Sequence, residues 1–314
     1  MMLTAHFPVV RCCRLLRCCQ RLRCCLSVQF LLLMIVIALP GAVAAQVMQS
    51  NEIVKFRLRD GYLIVVQTVV NGAGPFNFLL DTGATHTVID PDLARQLRLP
   101  VIGEASLTTV SDVRRDQLVR LKAVRVGNSE VSELGAVIDK LDRVKLKDPG
   151  IRGVLGEDFL SNFDLLIDYK ERILRFDEDA PNGDRCRFET MGRYHGEPTT
   201  NRLLIEVEFM DANSSKAQLQ LDTGAKMPEI FPARPGSVSS QPWAGSMAFS
   251  SGPNGTAIHP HTSIKIGTTI VNDLDVVKSR RGVAFDAVGL LPASIFHRIY
   301  ISHSGGFVVL NPSE

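Results

Sequence analysis

The stretch "FLLDTGATHTVID", from Phe78 to Asp90, runs an apolar strand pattern directly into an acid, a hydroxyl residue and a glycine. A second stretch, "LQLDTGAKMPEI", repeats this order from Leu219 to Ile230. The two Asp-Thr-Gly turns lie 141 residues apart. Two acids, each at the end of an apolar run, predict two carboxylates that meet in the folded chain.

Each turn follows the sequence pattern of a β-hairpin. Residues 62–70 form a β-branched run and residues 202–210 alternate apolar and polar side chains. A cluster of turn-forming residues follows each run, and a second apolar strand then leads into the acid. Both patterns are typical of hairpins whose second strand delivers the acid.

A second pair of similar elements lies downstream, "GVLGEDFLSNFDLLIDY" and "DAVGLLPASIFHRIYIS". We align Gly156 with Gly289, and a further strand pattern follows each copy, at 173–176 and 307–310. The repetition predicts a tandem duplication of one β-rich unit. Its boundary is expected in the polar residues 177–185, which gives an N-terminal lobe over 46–180 and a C-terminal lobe over 181–314.

The two copies differ after their Asp-Thr-Gly turns. The first is followed by the pattern of a short helix over 90–97, with Asp90 as the N-cap, Pro91 at the first position and Leu93 and Leu97 on one face. The second is followed by prolines at 228, 232, 235 and 242, which exclude a helix of useful length.

The first 45 residues have the composition of a signal peptide. They hold five arginines and no acid, then the apolar run "FLLLMIVIAL" and the small residues "AVAA". The apolar run is about half of the ~20 residues that a spanning helix needs. We therefore expect a cleaved signal peptide over 1–45 and export to the periplasm or the outside, with a membrane anchor as the alternative.

The charge and the cysteine content of the remaining chain limit its possible partners and its possible disulfides. Without the first 45 residues, 30 basic residues face 33 acidic ones, so no electrostatic footprint for nucleic acid is present. Six of the seven cysteines lie in the leader, which leaves Cys186 alone. An exported chain with one cysteine has no internal disulfide, so packing alone must hold its fold.

The residues of each turn suit a shared task. Glycine allows a tight turn and a close approach of backbone. Threonine can bond the opposite loop across a symmetric contact. Two carboxylates held close together cannot both ionise, so they share one proton, and one acts as a base while the other donates. The residues concerned are Asp81, Thr82 and Gly83 in one turn and Asp222, Thr223 and Gly224 in the other.

In these motifs the chain resembles the aspartic proteases of the pepsin and retropepsin-like kinds. The resemblance extends from about residue 52 to residue 310. It rests on the turns at 79–84 and 221–225 and on the elements Val154-Leu155-Gly156 and Ala287-Val288-Gly289. Both elements, twice and in the same order, are a specific signal, whereas a single tripeptide recurs by chance.

The resemblance implies a two-lobed all-β fold with a few short helices and a cleft between the lobes. Asp81 and Asp222 then match the catalytic aspartates. The residues expected to support the active-site loops are Thr82, Gly83, Ala84, Thr223, Gly224 and Ala225. The hairpin flaps expected to cover the substrate have their tips at Val110, Ser111 and Asp112 and at Gly252, Pro253 and Asn254.

Two features depart from the pepsin pattern. Ala84 and Ala225 stand where pepsin-like enzymes usually carry a hydroxyl residue and retroviral enzymes carry alanine. Loss of that donor raises the pKa of the pair, so we expect activity at mildly acidic to neutral pH. Lys226 stands where the family usually has a small polar or acidic residue, and its charge is expected to disturb proton sharing at Asp222.

The sequence thus favours an exported aspartic endopeptidase, active as a monomer on polypeptide substrates, with no metal or organic cofactor and no nucleic-acid partner. No H-E-x-x-H or G-x-S-x-G motif is present. Two alternatives stay open. The second lobe has decayed and the chain is a non-catalytic peptide-binding module, or the first lobe is active only by pairing with the first lobe of another copy.

Overall fold

The structure, a computed structural model, describes residues 52–108, 113–189, 192–194, 197–199, 202–210, 214–231, 250–251, 257–278 and 289–312. All of these residues belong to one compact unit, Gln49–Glu314. They form mainly β-strands with a few short helices, so the predicted all-β class is confirmed.

The first half of the described chain contains eleven strands and three short helices. The strands are β1 (Ile53–Lys55), β2 (Arg57–Arg59), β3 (Leu63–Val70), β4 (Ala73–Leu80), β5 (Thr87–Ile89), β6 (Val101–Thr108), β7 (Val113–Val126), β8 (Ser129–Ile138), β9 (Ile151–Leu155), β10 (Leu165–Asp168) and β11 (Ile173–Phe176). The helices are α1 (Pro91–Gln96), α2 (Asp142–Lys145) and α3 (Glu157–Leu160).

The second half contributes twelve described strands and one described 3-10 helix. The strands are β12 (Arg185–Glu189), β13 (Gly192–Tyr194), β14 (Glu197–Thr199), β15 (Leu204–Phe209), β16 (Lys216–Asp222), β17 (Glu229–Ile230), β18 (Ser250–Ser251), β19 (Ala257–Ile266), β20 (Thr269–Lys278), β21 (Gly289–Pro292), β22 (Arg298–Ser302) and β23 (Phe307–Leu310). The 3-10 helix is Ala293–Ile295.

Each half closes into a six-stranded barrel, and the two barrels have the same strand order. The first runs β3-β4-β9-β5-β8-β7 and closes because β3 pairs with both β4 and β7. The second runs β15-β16-β21-β17-β20-β19 and closes because β15 pairs with both β16 and β19. The parallel pairs β4–β9 and β5–β8 recur as β16–β21 and β17–β20. The predicted tandem duplication is therefore confirmed.

An antiparallel set of six strands, β1-β11-β10-β22-β23-β12, connects the two halves. At its centre β10 pairs with β22, which places Leu165 opposite Ile301 and Ile167 opposite Ile299. All four side chains are buried in the main apolar core, which contains residues of both barrels. The halves therefore share a sheet and a core.

Local sequence accounts for the elements that lead to the Asp-Thr-Gly turns. The first predicted hairpin is β3–β4, and its register pairs Ile64 with Leu80. Phe78 and Leu80 point into the main core, whereas Leu79 packs in a second apolar cluster, as the period of two in a strand requires. The predicted helix after the turn is α1, and the Asp90 carboxylate accepts from the amides of residues 92 and 93 as its N-cap.

The alignment of Gly156 with Gly289 is wrong by three residues. In the first barrel Gly153 pairs with Phe78, and in the second Gly289 pairs with Leu219, which is the equivalent of Phe78. Gly289 therefore corresponds to Gly153. The alignment was misplaced because the segments after these strands differ, an α-helix in one half and a 3-10 turn in the other.

Two further predictions concern the ends of the lobes. The signal peptide expected over 1–45 lies outside the described residues, and the lobe boundary near residue 180 stays a prediction. None of the helices in the described ranges has the length and hydropathy of a membrane-spanning segment.

Candidate active site

The strands β4 and β16 bring the two predicted acids together. Asp81 directly follows β4 and Asp222 ends β16. A parallel strand lies beside each of these strands, β9 beside β4 and β21 beside β16. At the first turn the Asp81 amide donates to the carbonyl of Leu155, in β9, at 3.0 Å. The two carboxyl groups lie close enough for each to shift the pKa of the other, and Asp222 is 8% exposed.

Four reciprocal hydrogen bonds of the threonines lock the two turns together. The Thr82 amide donates to Thr223 Oγ1 at 3.0 Å, and the Thr223 amide donates to Thr82 Oγ1 at 3.1 Å. The Thr82 hydroxyl also donates to the carbonyl of Leu221 at 2.9 Å, and the Thr223 hydroxyl to that of Leu80 at 2.8 Å. Both threonines are fully buried, so these bonds are shielded from water.

The glycines allow the carboxylates to approach the opposite backbone. A Cβ on Gly83 would lie 2.6 Å from Cγ of Asp222, and one on Gly224 would lie 3.0 Å from both carboxyl oxygens of Asp81. Each glycine amide also donates to the acid of its own turn, at 2.9 Å to Asp81 Oδ1 and at 2.6 Å to Asp222 Oδ1. The turns thus fix both the separation and the orientation of the carboxyl groups.

Burial and mutual repulsion perturb the acidity of the pair. Burial raises the pKa of Asp81, partly offset by the hydrogen bonds from Gly83 and Asp222. The pKa of Asp222 is raised well above its ordinary value by burial and by the charge of Asp81. Burial and the charge of the neighbouring acid favour one proton on the pair, which the two carboxyl groups share and which titrates as a property of both. A half-protonated pair of this kind holds both a base and an acid.

The other predicted site residues fall in different environments. Ala84 follows the first turn, where its amide donates to the Asp81 carbonyl at 3.2 Å, and Ala225 is buried in the second. Lys226 is exposed. The pKa of Asp60, in the first half, is lowered first by a hydrogen bond from Lys147 and also by the charge of Lys226. Both predicted flap tips, 110–112 and 252–254, lie outside the described residues.

The sequence patterns missed several polar side chains around the pair. Gln220 is fully buried one strand position ahead of Leu221, and its Nε2 donates to the carbonyl of Gly83 at 3.0 Å. The buried Tyr169 follows β10, and its hydroxyl has no hydrogen-bond partner among the described residues. Burial and then the charges of Asp222 and Asp81 raise its pKa. Gln220 alternates with Gln218 as on the polar face of a strand, and nothing in the sequence marks Gln220 or Tyr169 as part of the site.

A buried ion pair connects α3, beside the first turn, to the second half. The Glu157 amide donates to the carbonyl of Ala84 at 2.8 Å. Its carboxylate lies 3.0 Å from His303 Nε2, and His303 Nδ1 lies 2.6 Å from the carbonyl of Phe163. Within the described ranges, no group of three or more His, Cys, Asp or Glu side chains is arranged to hold a metal ion.

Two comparisons with known proteins found similarities that cover part of the chain. The structure is similar to the crystal structure of a retropepsin-like aspartic protease from Rickettsia conorii, with 20% identity over 40% of this chain and 88% of that chain, at a TM-score of 0.28. No curated protein matches the chain. Residues 66–159, which include the first Asp-Thr-Gly turn, β9 and most of α3, match the aspartyl protease family. The predicted resemblance to the aspartic proteases is therefore confirmed, on residues 66–159.

Proposed function

We propose that the protein is an aspartic endopeptidase in which Asp81 and Asp222 of one chain activate a water molecule. One observation carries the proposal: reciprocal threonine bonds lock the two turns together, with the carboxyl group of each acid beside the glycine of the opposite turn. The aspartyl protease match of residues 66–159 supports a protease, and it contains Asp81.

The shared proton provides the chemistry that peptide hydrolysis needs. The ionised carboxylate takes a proton from water as its oxygen attacks the carbonyl carbon of the peptide bond. The protonated carboxyl gives its proton to the carbonyl oxygen, and a tetrahedral diol results. Transfer of a proton to the nitrogen then breaks the C–N bond and releases a carboxylic acid and an amine.

The proposal includes the predicted setting of the enzyme. The substrate is a polypeptide, and the basic and apolar leader over 1–45 directs the chain to the periplasm or the outside. No metal, organic cofactor or nucleic acid takes part. The reciprocal threonine bonds join two turns of one chain, which favours a monomer over an enzyme built from two first lobes.

The test is cleavage of a peptide library by the purified protein between about pH 3 and pH 8, beside Asp81→Asn and Asp222→Asn. We expect the wild type to cut internal peptide bonds and both variants to lose at least about a thousandfold in kcat/KM, because neither can hold the shared proton. The cut positions then give the specificity.

Two results of this peptide-cleavage experiment would contradict the proposal. A folded wild type that binds peptides without cutting them would contradict the proposal and favour the peptide-binding module. Wild-type cleavage that persists in Asp222→Asn would remove the second half from the mechanism.

A further inference from the structure

The two active-site strands differ at one buried position beside the acids. Leu79 and Gln220 each lie two residues ahead of the aspartate in β4 and β16. Leu79 packs in the second apolar cluster with Tyr62, Val88 and other side chains of the first barrel. Gln220 is 1% exposed and presents an amide at the equivalent place. A leucine offers no hydrogen-bond donor, so only the second strand can hold the opposite turn by a side-chain hydrogen bond from this position.

Gln220 connects the two halves at the first Asp-Thr-Gly turn. Its Nε2 lies 3.0 Å from the carbonyl of Gly83 and 3.5 Å from that of Thr82. On its other side, Arg202 Nη1 donates to its Oε1 at 3.4 Å. A guanidinium only donates and a carbonyl only accepts, so these partners determine which end of the amide faces which way.

Gln220 contacts the carbonyls of the two successive peptide groups that flank Gly83, and the N–H groups of both peptides bind Asp81. The N–H of the Thr82–Gly83 peptide donates to Asp81 Oδ1 at 2.9 Å, and its carbonyl lies 3.5 Å from Gln220 Nε2. The shorter contact of Gln220, at 3.0 Å, is to the carbonyl of the Gly83–Ala84 peptide, whose N–H also lowers the pKa of Asp81. A donor at the carbonyl polarises a peptide and strengthens its N–H as a donor. The amide therefore supports a hydrogen bond that favours the charged form of Asp81.

We propose that Gln220 is a positioning residue of the pair: its amide, oriented by Arg202, fixes the two peptide groups that flank Gly83 and so favours Asp81 as the ionised member of the pair. This inference deepens the proposed function and rests on it for its catalytic meaning. The apolar Leu79 gives Asp222 no equivalent support, so the chain itself breaks the symmetry of the pair.

Other titratable groups surround Asp81, and they stay in place when Gln220 is changed. Asp222 faces it directly. Glu157 on α3 and Tyr169 after β10 lie close enough for the charge of Asp81 to raise their pKa. Arg202 is the buried cation in contact with Gln220. A shift specific to Gln220 variants therefore reports the peptide contact.

The test follows the Asp carboxyl carbons of ¹³C-labelled protein by NMR during a pH titration. The variants are Gln220→Met, which keeps the length of the side chain, and Gln220→Leu, which copies Leu79. Gln218→Leu, two residues earlier in β16, is the matched control. Assignments come from Asp81→Asn and Asp222→Asn. We expect the lower apparent pKa of the pair to rise by about half a unit in both Gln220 variants and to stay constant in the control.

The kinetic readout is the acidic limb of the pH profile of kcat/KM. It should move to higher pH by the same amount in the Gln220 variants, with KM little changed. Unchanged lower pKa values in a folded Gln220 variant, or an equal shift in Gln218→Leu, would overturn the positioning role. If the wild type does not cleave, the proposed function fails, while the NMR titration still decides whether Gln220 sets the ionisation of Asp81.

Discussion

At the scale of single residues, each threonine hydroxyl of the Asp-Thr-Gly turns has two partners. The Thr82 hydroxyl accepts from the amide of Thr223 and donates to the carbonyl of Leu221, and Thr223 mirrors this arrangement. A buried polar group without a partner costs more than the bond itself contributes. The loss of one hydroxyl therefore leaves a donor and an acceptor unsatisfied at the centre of the molecule.

We expect Thr82→Val to lower the free energy of unfolding by roughly 2–4 kcal/mol, since two buried groups lose their partner. Thr68→Val is the matched control, because Thr68 is fully buried and its hydroxyl has no partner among the described residues. Chemical denaturation of the two variants measures the difference. Equal losses in both would mean that the threonine bonds add no stability.

The raised pKa of Asp222 makes stability depend on pH. Its folded-state value lies above the ordinary 3.8, so the folded protein holds the proton more tightly than the unfolded chain does. This contribution is complete at low pH and is lost as pH rises through the raised pKa. We expect Asp222→Asn to be more stable than the wild type at about pH 7, by roughly 2–4 °C in Tm, with a smaller gain near pH 4.

Asp164→Asn is the control with the opposite trend. Burial alone would raise the pKa of Asp164, but hydrogen bonds from Ser304, Ser302 and Tyr300 lower it. The stability that ionised Asp164 contributes is present at neutral pH and is lost on acidification. Asp164→Asn should therefore be less stable than the wild type at pH 7. Thermal unfolding from pH 4 to pH 7 checks both trends, and a gain for Asp222→Asn that does not vary with pH would contradict the account.

The sequence predicts the paired acids and their threonines because both types of residue repeat at fixed positions. It does not predict Gln220, since the alternation of a strand shows which side chains share a face but not which neighbouring loop they meet. The Glu157–His303 pair is likewise invisible, because 146 residues separate its members. Contacts of this kind depend on how the two barrels are joined.

At the scale of elements, β9 and β21 are the strands that thread beside the active-site turns. Gly289 begins β21, where a Cβ would lie 1.9 Å from the backbone oxygen of Glu229. Backbone cannot move aside as a flexible side chain can. The approach of β17 to β21 therefore requires glycine at this position.

We expect Gly289→Ala to cost roughly 3 kcal/mol or more in stability, as overpacking against backbone does. The matched control is Gly135→Ala in β8, where the nearest atom, Leu118 Cδ1, would lie at an ordinary 3.4 Å. Thermal unfolding compares the two variants. A Gly289→Ala protein as stable as Gly135→Ala would show that β17 does not pack against β21 as described.

Most elements follow from local patterns. The hairpin β3–β4, the strands β11 and β23 and the capped helix α1 all occur where the sequence predicts them. The alignment of Gly156 with Gly289 is three residues off because the segments that follow β9 and β21 have diverged. The ladder pairs of Gly153 with Phe78 and Gly289 with Leu219 correct it.

At the scale of the whole molecule, the shared sheet and the Glu157–His303 pair connect the two barrels. Burial alone would lower the pKa of His303, but the hydrogen bond and charge of Glu157 raise it above its ordinary 6.5. Protonated His303 therefore stabilises the fold fully below about pH 6.5, and this contribution is lost as pH rises through the raised pKa of His303.

We expect His303→Gln to lower the free energy of unfolding by about 3 kcal/mol near pH 5.5, because Glu157 is left buried without its cation. The gap to the wild type should narrow toward pH 8.5, where the wild-type imidazole has lost its proton. Denaturation at both pH values checks this. A gap that widens with pH would show that the pair is not ionised in the folded protein.

One chain supplies both halves of the candidate site, and this is the central claim. The most direct measurement is peptide cleavage by an equal mixture of Asp81→Asn and Asp222→Asn, beside each variant alone and a dilution series of the wild type. We expect no cleavage by the variants or their mixture, and a wild-type rate per molecule that is independent of protein concentration. Activity recovered in the mixture, or a wild-type rate per molecule that falls on dilution, would show that the site forms between chains.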